Sequence, residues 1–291
     1  MSKVSIYIPT HNRQKLLERA LNSVRAQTFR DLEIIVVNDA STDSTRDYLD
    51  QIVLTEPRLV VVHSDEPAGA AAARNIALKR ATGELATGLD DDDEFKPGRV
   101  EALLAEWSEL APAHDHISCL FTDSIMSDGT RAFTTIDRKS EVSYIDLFRH
   151  NFIGNQIFCP TKRLLSVGGF DESLPAWEDL ELFMRLVKRY GAARRLAGEA
   201  SYICHIEANR ARISSNKAKH IRAFEQIIEK ASDQPSERHS ELFLQLFSSF
   251  YGTIPSVSDW RRMLELKAPP YLLAKLLRAA LRNSLKKHLT A

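Results

Sequence analysis

The sequence has 291 residues, of which 44% are hydrophobic and 27% are charged. That length suits one large domain or a domain with an accessory segment, and the composition excludes disordered, fibrous and disulfide-stapled chains. Residues 1–209 hold 24 basic and 32 acidic residues, whereas residues 210–291 hold 15 and 7. The net charge of zero therefore conceals −8 and +8, and we expect the two regions to face different partners.

The cysteines and the chain start point to a cytoplasmic protein. Cys119, Cys159 and Cys204 are far apart and form no Cys-x-x-Cys pair, so we expect them to be reduced and buried. The first residues run straight into a strand pattern without the apolar stretch of a signal peptide. No window approaches the roughly 20 apolar residues that a membrane-spanning helix needs.

Short apolar runs alternate with helical patterns over the first 90 residues. The predicted strands are 4–8, 32–37, 59–63 and 84–89, and the predicted helices between them are 13–27, 44–54 and 70–81. This alternation is typical of a mostly parallel sheet with helices on both faces. Later residues predict helices near 99–110 and 179–190, a strand near 117–121, an irregular stretch through 143, and helices with little sign of strands from about 218.

Five adjacent acids, Asp90 to Glu94, follow the fourth predicted strand. Most charge runs are solvated loops, but ligands of open α/β sheets bind at the carboxyl ends of strands. Carboxylates gathered there suit Mg²⁺ or Mn²⁺. Polar residues also follow the first two strands, at 9–13 and 38–43. Turn and cap chemistry explains either cluster alone, and the three together favour a nucleotide-and-metal pocket.

Ordered motifs over residues 3–190 resemble glycosyltransferase family 2. They are Val4 to Arg13, Ser23 to Thr28, Glu33 to Asp43, Ala73-Arg74-Asn75, Gly83, Leu89 to Asp93, Pro97, Gly168 to Glu172 and Trp177-Glu178-Asp179. The resemblance implies a GT-A fold, which is an α/β, Rossmann-like, mostly parallel sheet, followed here by a helical C-terminal region. We expect a catalytic domain over 1–215, with a nucleotide-sugar half (1–97) and an acceptor half (98–215), and an extension over 216–291. The chain departs from the family pattern at Asn38, Ala40 and Glu66, where aspartate, glycine and asparagine are common.

Site residues follow from the same resemblance. Donor contacts are implied for Pro9, Thr10, His11, Arg13, Asp39, Arg74, Asp90 and Asp91. Asp92 is implied as the metal ligand, and His205 resembles a histidine that completes the metal site in some relatives. A lone histidine is more often structural. Asp179 matches the catalytic base, although an acid at a helix start is also favoured by the helix dipole.

The resemblance implies an inverting glycosyltransferase that needs Mn²⁺ or Mg²⁺. Its donor would be a UDP-sugar that carries a hexose, and its acceptor a saccharide or polyprenyl-diphosphate-linked glycan of surface polysaccharide, O-antigen or capsule biosynthesis. A sugar-1-phosphate nucleotidyltransferase is one alternative, but the loop at 9–13 has no glycine. A non-catalytic nucleotide-sugar-binding protein is another. We expect no nucleic-acid partner because no reading motif accompanies the basic residues.

The last segment predicts a basic amphipathic helix. Leu273, Leu277, Leu281, Leu285 and Leu289 form one i+4 ridge, and Lys275, Arg278, Arg282 and Lys286 form another. Such a helix suits an anionic membrane surface at the inner face of the cell membrane. It equally suits packing on the protein body or on a second subunit, and the second case would give a homo-oligomer. Residues 212–214 resemble a mobile loop that closes over the substrates.

Overall fold

The computed structural model describes residues 3–110, 115–134, 139–206 and 216–290. The chain divides into two units, which are described separately. The sheet unit comprises Met1–Ser143, Phe152–Glu172 and Glu181–Ala208, and the helical unit comprises Tyr144–Asn151, Ser173–Leu180 and Asn209–Ala291. The predicted boundary near residue 215 stays a prediction.

The first part of the sheet unit is built from βαβ units. Its strands are β1 (Val4–Thr10), β2 (Leu32–Asp39), β3 (Leu59–Ser64) and β4 (Leu85–Gly88), and its helices are α1 (Gln14–Arg25), α2 (Thr45–Ile52) and α3 (Ala70–Arg80). The four strands are parallel, in the order β3-β2-β1-β4. This arrangement confirms the predicted alternation, because nearly continuous apolar strands are covered on both faces.

The sheet continues with strands of mixed length and direction. The strands are β5 (Glu94–Phe95), β6 (Ile117–Ser127), β7 (Ala132–Thr134), β8 (Glu141–Val142), β9 (Phe158–Pro160) and β10 (Ala192–His205). The helices are α4 (Arg99–Glu109), α5 (Tyr144–Arg149), α6 (Thr161–Ser166) and α7 (Glu178–Tyr190). Helix α5 belongs to the helical unit, and α7 is shared by both units. The order runs on from β4 through β9, β6 and β10 to β5. Strand β9 is antiparallel to β4, and β10 is parallel to β6.

The strand prediction was wrong at several positions beyond the first four strands, and β5 and β9 were not predicted. Strand β6 extends to Ser127 rather than ending near 121, and β7 and β8 lie inside the stretch predicted to be irregular. The long strand β10 was missed altogether. Its sequence mixes arginines and a glycine into the apolar positions, and its pairing with β6 shifts register between Arg195 and Ala200. Bulges of this kind break the period of two by which a strand is identified from sequence.

The core of the sheet unit lies on both sides of β1 and β2. Every residue of these two strands is buried. Helix α1 contributes Leu17, Leu21 and Val24 to the same core. The three cysteines form no disulfide and are buried, which confirms that part of the prediction. A polar residue in such a strand therefore reaches solvent chiefly at the strand end.

The helical unit contains no strand among its described residues. After α5 and the segment Ser173–Leu180 it continues with α8 (Lys217–Lys230), α9 (Ser236–Leu244), a 3-10 turn (Gln245–Phe247), α10 (Val257–Glu265) and α11 (Pro270–Thr290). The helical prediction beyond 218 is thus confirmed for these residues. Gln245 Nε2 donates to the carbonyls of Leu147 and Phe148 at 2.8 and 3.0 Å, and Phe243 stacks between Phe224 and Phe247. These contacts tie α5 to the C-terminal helices.

Candidate active site

Asn12 joins the loops that follow β1 and β2. Its side-chain oxygen accepts hydrogen bonds from the backbone amides of Thr42 and Asp43. Its backbone amide donates to Ser41 Oγ at 2.8 Å. Its φ of 54° lies in the left-handed region, which asparagine tolerates better than most residues. The two polar clusters predicted from the strand ends therefore form one surface.

Asp39 ends β2 and organises the entry to α3. Its carboxylate accepts the backbone amides of Ala68 and Gly69, both at 2.8 Å. Its carbonyl oxygen contacts His11 Nδ1, which brings the β1 loop to the same place. Asp39 and His11, both predicted to bind donor, are thereby adjacent in the structure.

Asp91 is buried beneath the β1 loop. Its carboxylate accepts Thr10 Oγ1 at 2.8 Å and Arg13 Nη1 at 2.7 Å. Burial raises the pKa of Asp91, and the Arg13 charge opposes that rise. Arg13 also lies 3.5 Å from the Asp92 carboxylate. Thr10, Arg13, Asp91 and Asp92 therefore form one cluster, in which Asp91 contacts both residues of the β1 loop.

Asp90 is held by two side chains from distant parts of the sheet unit. Arg74 Nη2 and Gln156 Nε2 donate to the same carboxylate oxygen at 2.9 and 3.1 Å. Gly88 permits this approach, because a Cβ there would lie 2.1 Å from Gln156 Oε1. The Arg74 guanidinium also lies over the Phe170 ring, 5.3 Å from its centre. Arg74 and Asp90, each predicted to bind the donor, are thus in contact, and Gln156 was not predicted.

Asn75 fixes the glycine turn that carries Phe170. It donates to the Phe170 carbonyl and to Glu172, and it accepts the Phe170 amide, all at 2.8 Å. Gly169 has a φ of 70°, and a Cβ there would lie 2.3 Å from the Asn75 oxygen. The motif containing Asn75 was noted in the sequence, but this pairing across 95 residues was not predicted.

His205 meets the far end of the acidic run. Its amide donates to Asp93 at 3.0 Å, and its Nε2 lies 2.6 Å from Glu94 Oε1. Arg19 adds a contact to Glu94 at 3.4 Å and donates to the Asp92 carbonyl. His205, predicted as a metal ligand, therefore lies at the acidic run, with its Nε2 directed at Glu94.

A buried arginine contacts two aromatic residues that lie next to the acidic run. Arg99 is 1% exposed and donates to Thr122 and Ser201 at 2.6 and 3.2 Å. Its guanidinium lies over the rings of both Phe95 and Tyr202, 4.8 and 5.4 Å from their centres. Tyr202 in turn accepts the amide of Asp90 at 3.3 Å. Neither Arg99 nor Tyr202 was predicted to support the site.

The acidic run matches a hard divalent cation in charge and donor type. Among the described residues, no group of three or more His, Cys, Asp or Glu side chains forms a ready metal cage. The pKa of Asp93 is nevertheless raised well above its usual range, first by burial and then by repulsion from Asp90 and Asp92. Carboxylates that repel one another fit a cation that takes its remaining ligands from water and phosphate oxygens.

Asp179, the predicted base, lies in the helical unit. It is the second residue of α7 and is half-buried. The preceding Trp177 has a φ of 61° and donates its indole N–H to Tyr251 Oη at 2.8 Å. His220 stacks on both of these rings. Trp177, which belongs to the motif noted in the sequence, is thereby held by Tyr251 and His220, which were not predicted to lie near α7.

Three further predictions concern Pro9, the loop at 212–214 and membrane-spanning helices. Pro9 is buried in β1, opposite Val37 of β2. The predicted mobile loop at 212–214 lies outside the described residues. Within the part of the chain that is described, no helix has the length and hydropathy needed to cross a membrane.

Comparisons with known proteins identify the family and the fold of the chain. The family model described as glycosyl transferase family 2 matches residues 5–174. WcaA of Escherichia coli (strain K12), provisionally assigned to colanic acid biosynthesis as a glycosyl transferase, is 35% identical over 269 residues, 90% of this chain and 92% of WcaA. The GalNAc(5)-diNAcBac-PP-undecaprenol beta-1,3-glucosyltransferase of Campylobacter jejuni is 33% identical over 173 residues, 59% of this chain and 56% of that protein.

A solved structure shares the fold at low sequence identity. S. aureus TarS 1-349 in complex with UDP-GlcNAc matches with a TM-score of 0.67 and 19% identity, over 99% of this chain and 92% of that chain. This likeness confirms the predicted GT-A fold. Because the family model covers more than half of the sequence and WcaA is related along nearly all of it, the chain belongs to glycosyl transferase family 2.

Proposed function

We propose that this chain is an inverting, metal-dependent hexosyltransferase. It moves a sugar from a UDP-sugar to a saccharide or polyprenyl-diphosphate-linked glycan during surface polysaccharide, O-antigen or capsule biosynthesis. The observation that carries the proposal is the meeting of Asp39, Arg74 and the acidic run at the carboxyl ends of β1, β2 and β4. A crevice at that edge is where open α/β sheets bind nucleotides.

Donor binding is assigned to residues 1–97. The β1 loop, with Thr10, His11 and Arg13, holds the nucleoside together with Asp39, which reads the base. Arg74 places a buried positive charge beside Asp90 and is suited to the diphosphate. Because Asp91 is already engaged by Thr10 and Arg13, its part is to keep the β1 loop in place.

The leaving group is a nucleoside diphosphate, on which negative charge develops as the sugar departs. Mg²⁺ or Mn²⁺, held by Asp92 and with His205 as a second candidate ligand, supplies Lewis-acid stabilisation of that charge when bound. Arg74 adds fixed positive charge without needing a proton transfer. Arg13 keeps Asp91 and Asp92 together at this end of the pocket.

Asp179 is the proposed general base. It takes the proton of the acceptor hydroxyl as that oxygen attacks the anomeric carbon from the face opposite the diphosphate. A single displacement of this kind inverts the anomeric centre. The N-terminus of α7 favours the ionised carboxylate, which is the form that a base needs. Acceptor binding is assigned to residues 98–215.

The names of the relatives support this assignment at the level of class. WcaA is assigned to colanic acid biosynthesis, and the Campylobacter jejuni enzyme is named for an undecaprenol-linked acceptor. The TarS complex contains UDP-GlcNAc. Lipid-linked acceptors of this class are consistent with a cytoplasmic enzyme working at the inner face of the membrane.

The test is a screen of nucleotide sugars against the full chain with Mn²⁺ or Mg²⁺, in which binding is measured by calorimetry and nucleotide release by a coupled assay. We expect a UDP-sugar to bind and UDP to be released when acceptor is added. Release of pyrophosphate instead would indicate a nucleotidyltransferase. Absence of nucleotide binding in the presence of metal would overturn the proposal.

Asp92→Ala tests the metal role. It should weaken metal-dependent donor binding by at least about tenfold, because a carboxylate ligand to the cation is lost. Asp47→Ala, at an exposed position on α2, is the matched control and should bind donor like the natural protein. Equal binding by the two variants would remove Asp92 from the metal site.

A further inference from the structure

Helix α11 is attached to the helical unit by one face only. Leu272 and Leu276 are fully buried, and Ala279 and Asn283 continue the same face. Asn283 Nδ2 donates to the carbonyls of Phe247 and Thr253 at 3.1 and 2.8 Å. Leu277, Leu281 and Leu285 of the predicted i+4 ridge take no part in this buried face.

Those leucines lie on the opposite face. Leu277, Leu281 and Leu285, here called the leucine ridge, are 51%, 59% and 64% exposed. At about 100° per residue they point roughly 140° to 220° away from Leu272, and they extend over ~12 Å of helix. Solvated helix faces are ordinarily polar, so three leucines in line indicate a surface that has a partner.

Positive charge borders the leucine ridge. Lys275, Arg278 and Lys286 lie on α11 along one side of the ridge, roughly 60° to 140° from its centre. No acidic residue follows Glu265, whereas residues 266–291 hold six basic ones. The partner must accept apolar side chains at its surface and carry negative charge around them.

We propose that α11 docks the protein on an anionic lipid bilayer, with the leucine ridge at the boundary of headgroups and acyl chains and the lysines and arginines on lipid phosphates. Both requirements are met by such a surface. A second copy of the chain fits less well, because a symmetric contact through the ridge would bring like charges together. The proposal does not depend on the donor chemistry, since no residue of α11 belongs to the donor site.

The experiment is co-sedimentation of the full chain with vesicles of equal parts phosphatidylglycerol and phosphatidylcholine, compared with phosphatidylcholine alone. The natural protein should bind the anionic vesicles, and added salt should weaken binding. The triple variant Leu277→Asn, Leu281→Asn, Leu285→Asn should bind at least about tenfold more weakly, because the buried apolar area is lost. Leu54→Asn with Leu165→Asn, at exposed leucines of the sheet unit, is the control and should bind like the natural protein.

A charge variant separates the two contributions. Lys275→Gln, Arg278→Gln, Lys286→Gln should lose the preference for phosphatidylglycerol while the leucine ridge stays intact. Thermal melting of all variants should be close to that of the natural protein, because the replaced side chains are exposed. Unchanged vesicle binding by the leucine variant would overturn the proposal. A dimer in solution that dissociates in the leucine variant, without vesicle binding by the natural protein, would assign the ridge to a second copy instead.

Discussion

The two units of this protein use polar and apolar side chains in opposite ways. In the sheet unit, charged and amide side chains contact one another at the ends of buried strands, as Arg13, Arg74 and Gln156 do around Asp90 and Asp91. In the helical unit, the exposed surface carries large apolar residues. Eight of the twelve exposed large hydrophobic residues in the described chain belong to that unit.

This difference separates two kinds of function. Strand ends bring together residues that are far apart in sequence, and a preorganised polar pocket results that suits a charged small molecule. Exposed leucines beside lysines suit an extended amphipathic surface instead. The division also accounts for the opposite net charges of the two sequence regions. Each of the following changes tests one side of the comparison.

Asp179→Asn should have the largest effect, because it tests whether the helical unit supplies the catalytic base. Transfer should fall by at least ~100-fold, since asparagine cannot accept the acceptor proton. Donor binding should be nearly unchanged, because the donor residues lie in the sheet unit. Steady-state kinetics and calorimetry on the same preparations measure both quantities.

Glu178→Gln is the matched control for Asp179→Asn. The two acids are neighbours at the start of α7, so both variants weaken the favourable charge at the helix N-terminus to a similar extent. Only the loss of a base distinguishes them. If both variants lost transfer equally, the role of Asp179 would be to stabilise the helix.

The fold of the sheet unit was predictable where local pattern and final pairing agree. Strands β1 and β2 are continuous apolar runs with polar ends, and both were found close to their observed bounds. Strand β10 was missed because its strand character comes from pairing with β6, which begins 75 residues earlier in sequence. Local sequence does not contain that information.

The candidate site was predictable as a set of motifs but not as a set of contacts. Asp39 and the acidic run were noticed because they follow strand ends, whereas Arg74 was identified through the family resemblance. Five adjacent acids look alike in sequence, yet in the structure Asp91 and Asp93 are buried whereas Asp92 and Glu94 are partly exposed. Which acid faces solvent depends on how the chain enters β5. Gln156 is 66 residues from Asp90 and carries no local sign of its role.

Glu56→Gln should produce the next largest effect, on the stability of the sheet unit. The Glu56 carboxylate pairs with Arg58 at 2.8 Å and with Arg25 at 3.2 Å, and the Arg58 hydrogen bonds lower its pKa from 4.5 to about 2. The carboxylate therefore stabilises the fold above pH 4.5, and this contribution is lost as the pH falls toward 2. At neutral pH the variant should lose about 2 kcal/mol of unfolding free energy.

Denaturant unfolding across the acidic range checks this expectation. The difference between the natural protein and Glu56→Gln should shrink as the pH falls below 4.5. Glu84→Gln, at an exposed position, serves as the control and should change stability little at any pH. A difference that stays constant with pH would show that the ion pair is not its source.

His220→Phe should have a smaller effect, in the helical unit and in a different pH range. Burial lowers the pKa of His220 below 6.5, with Glu178 opposing the shift. Below pH 6.5 His220 binds a proton more readily in the unfolded chain than in the folded chain. The free energy of unfolding therefore falls as the pH falls. Phenylalanine keeps a ring between Trp177 and Tyr251 and should remove this dependence. Tryptophan fluorescence during unfolding, measured from neutral pH downward, reports the difference; an unchanged pH dependence would contradict it.

Ala40→Gly should have the smallest effect, and it compares the same backbone conformation in the two units. Ala40 has a φ of 53° at the end of β2, and Lys267 has a φ of 53° after α10. A residue with a Cβ in the left-handed region costs ~1–2 kcal/mol of folding free energy, which glycine avoids. Part of this gain is offset because glycine has more conformational freedom to lose from the unfolded chain. We therefore expect each glycine variant to be more stable by about 0.5 kcal/mol in denaturant unfolding.

Ala81→Gly is the matched control, because Ala81 is equally half-buried but has a φ of −60°. There is no left-handed strain to relieve at that position, so glycine should destabilise the protein by roughly 0.5–1 kcal/mol. Destabilisation by Ala40→Gly to the same extent would mean that the contacts of the methyl group outweigh the backbone strain. In that case side-chain packing, rather than backbone conformation, decides the stability of the loop after β2. The sheet unit would then resemble the helical unit in this respect.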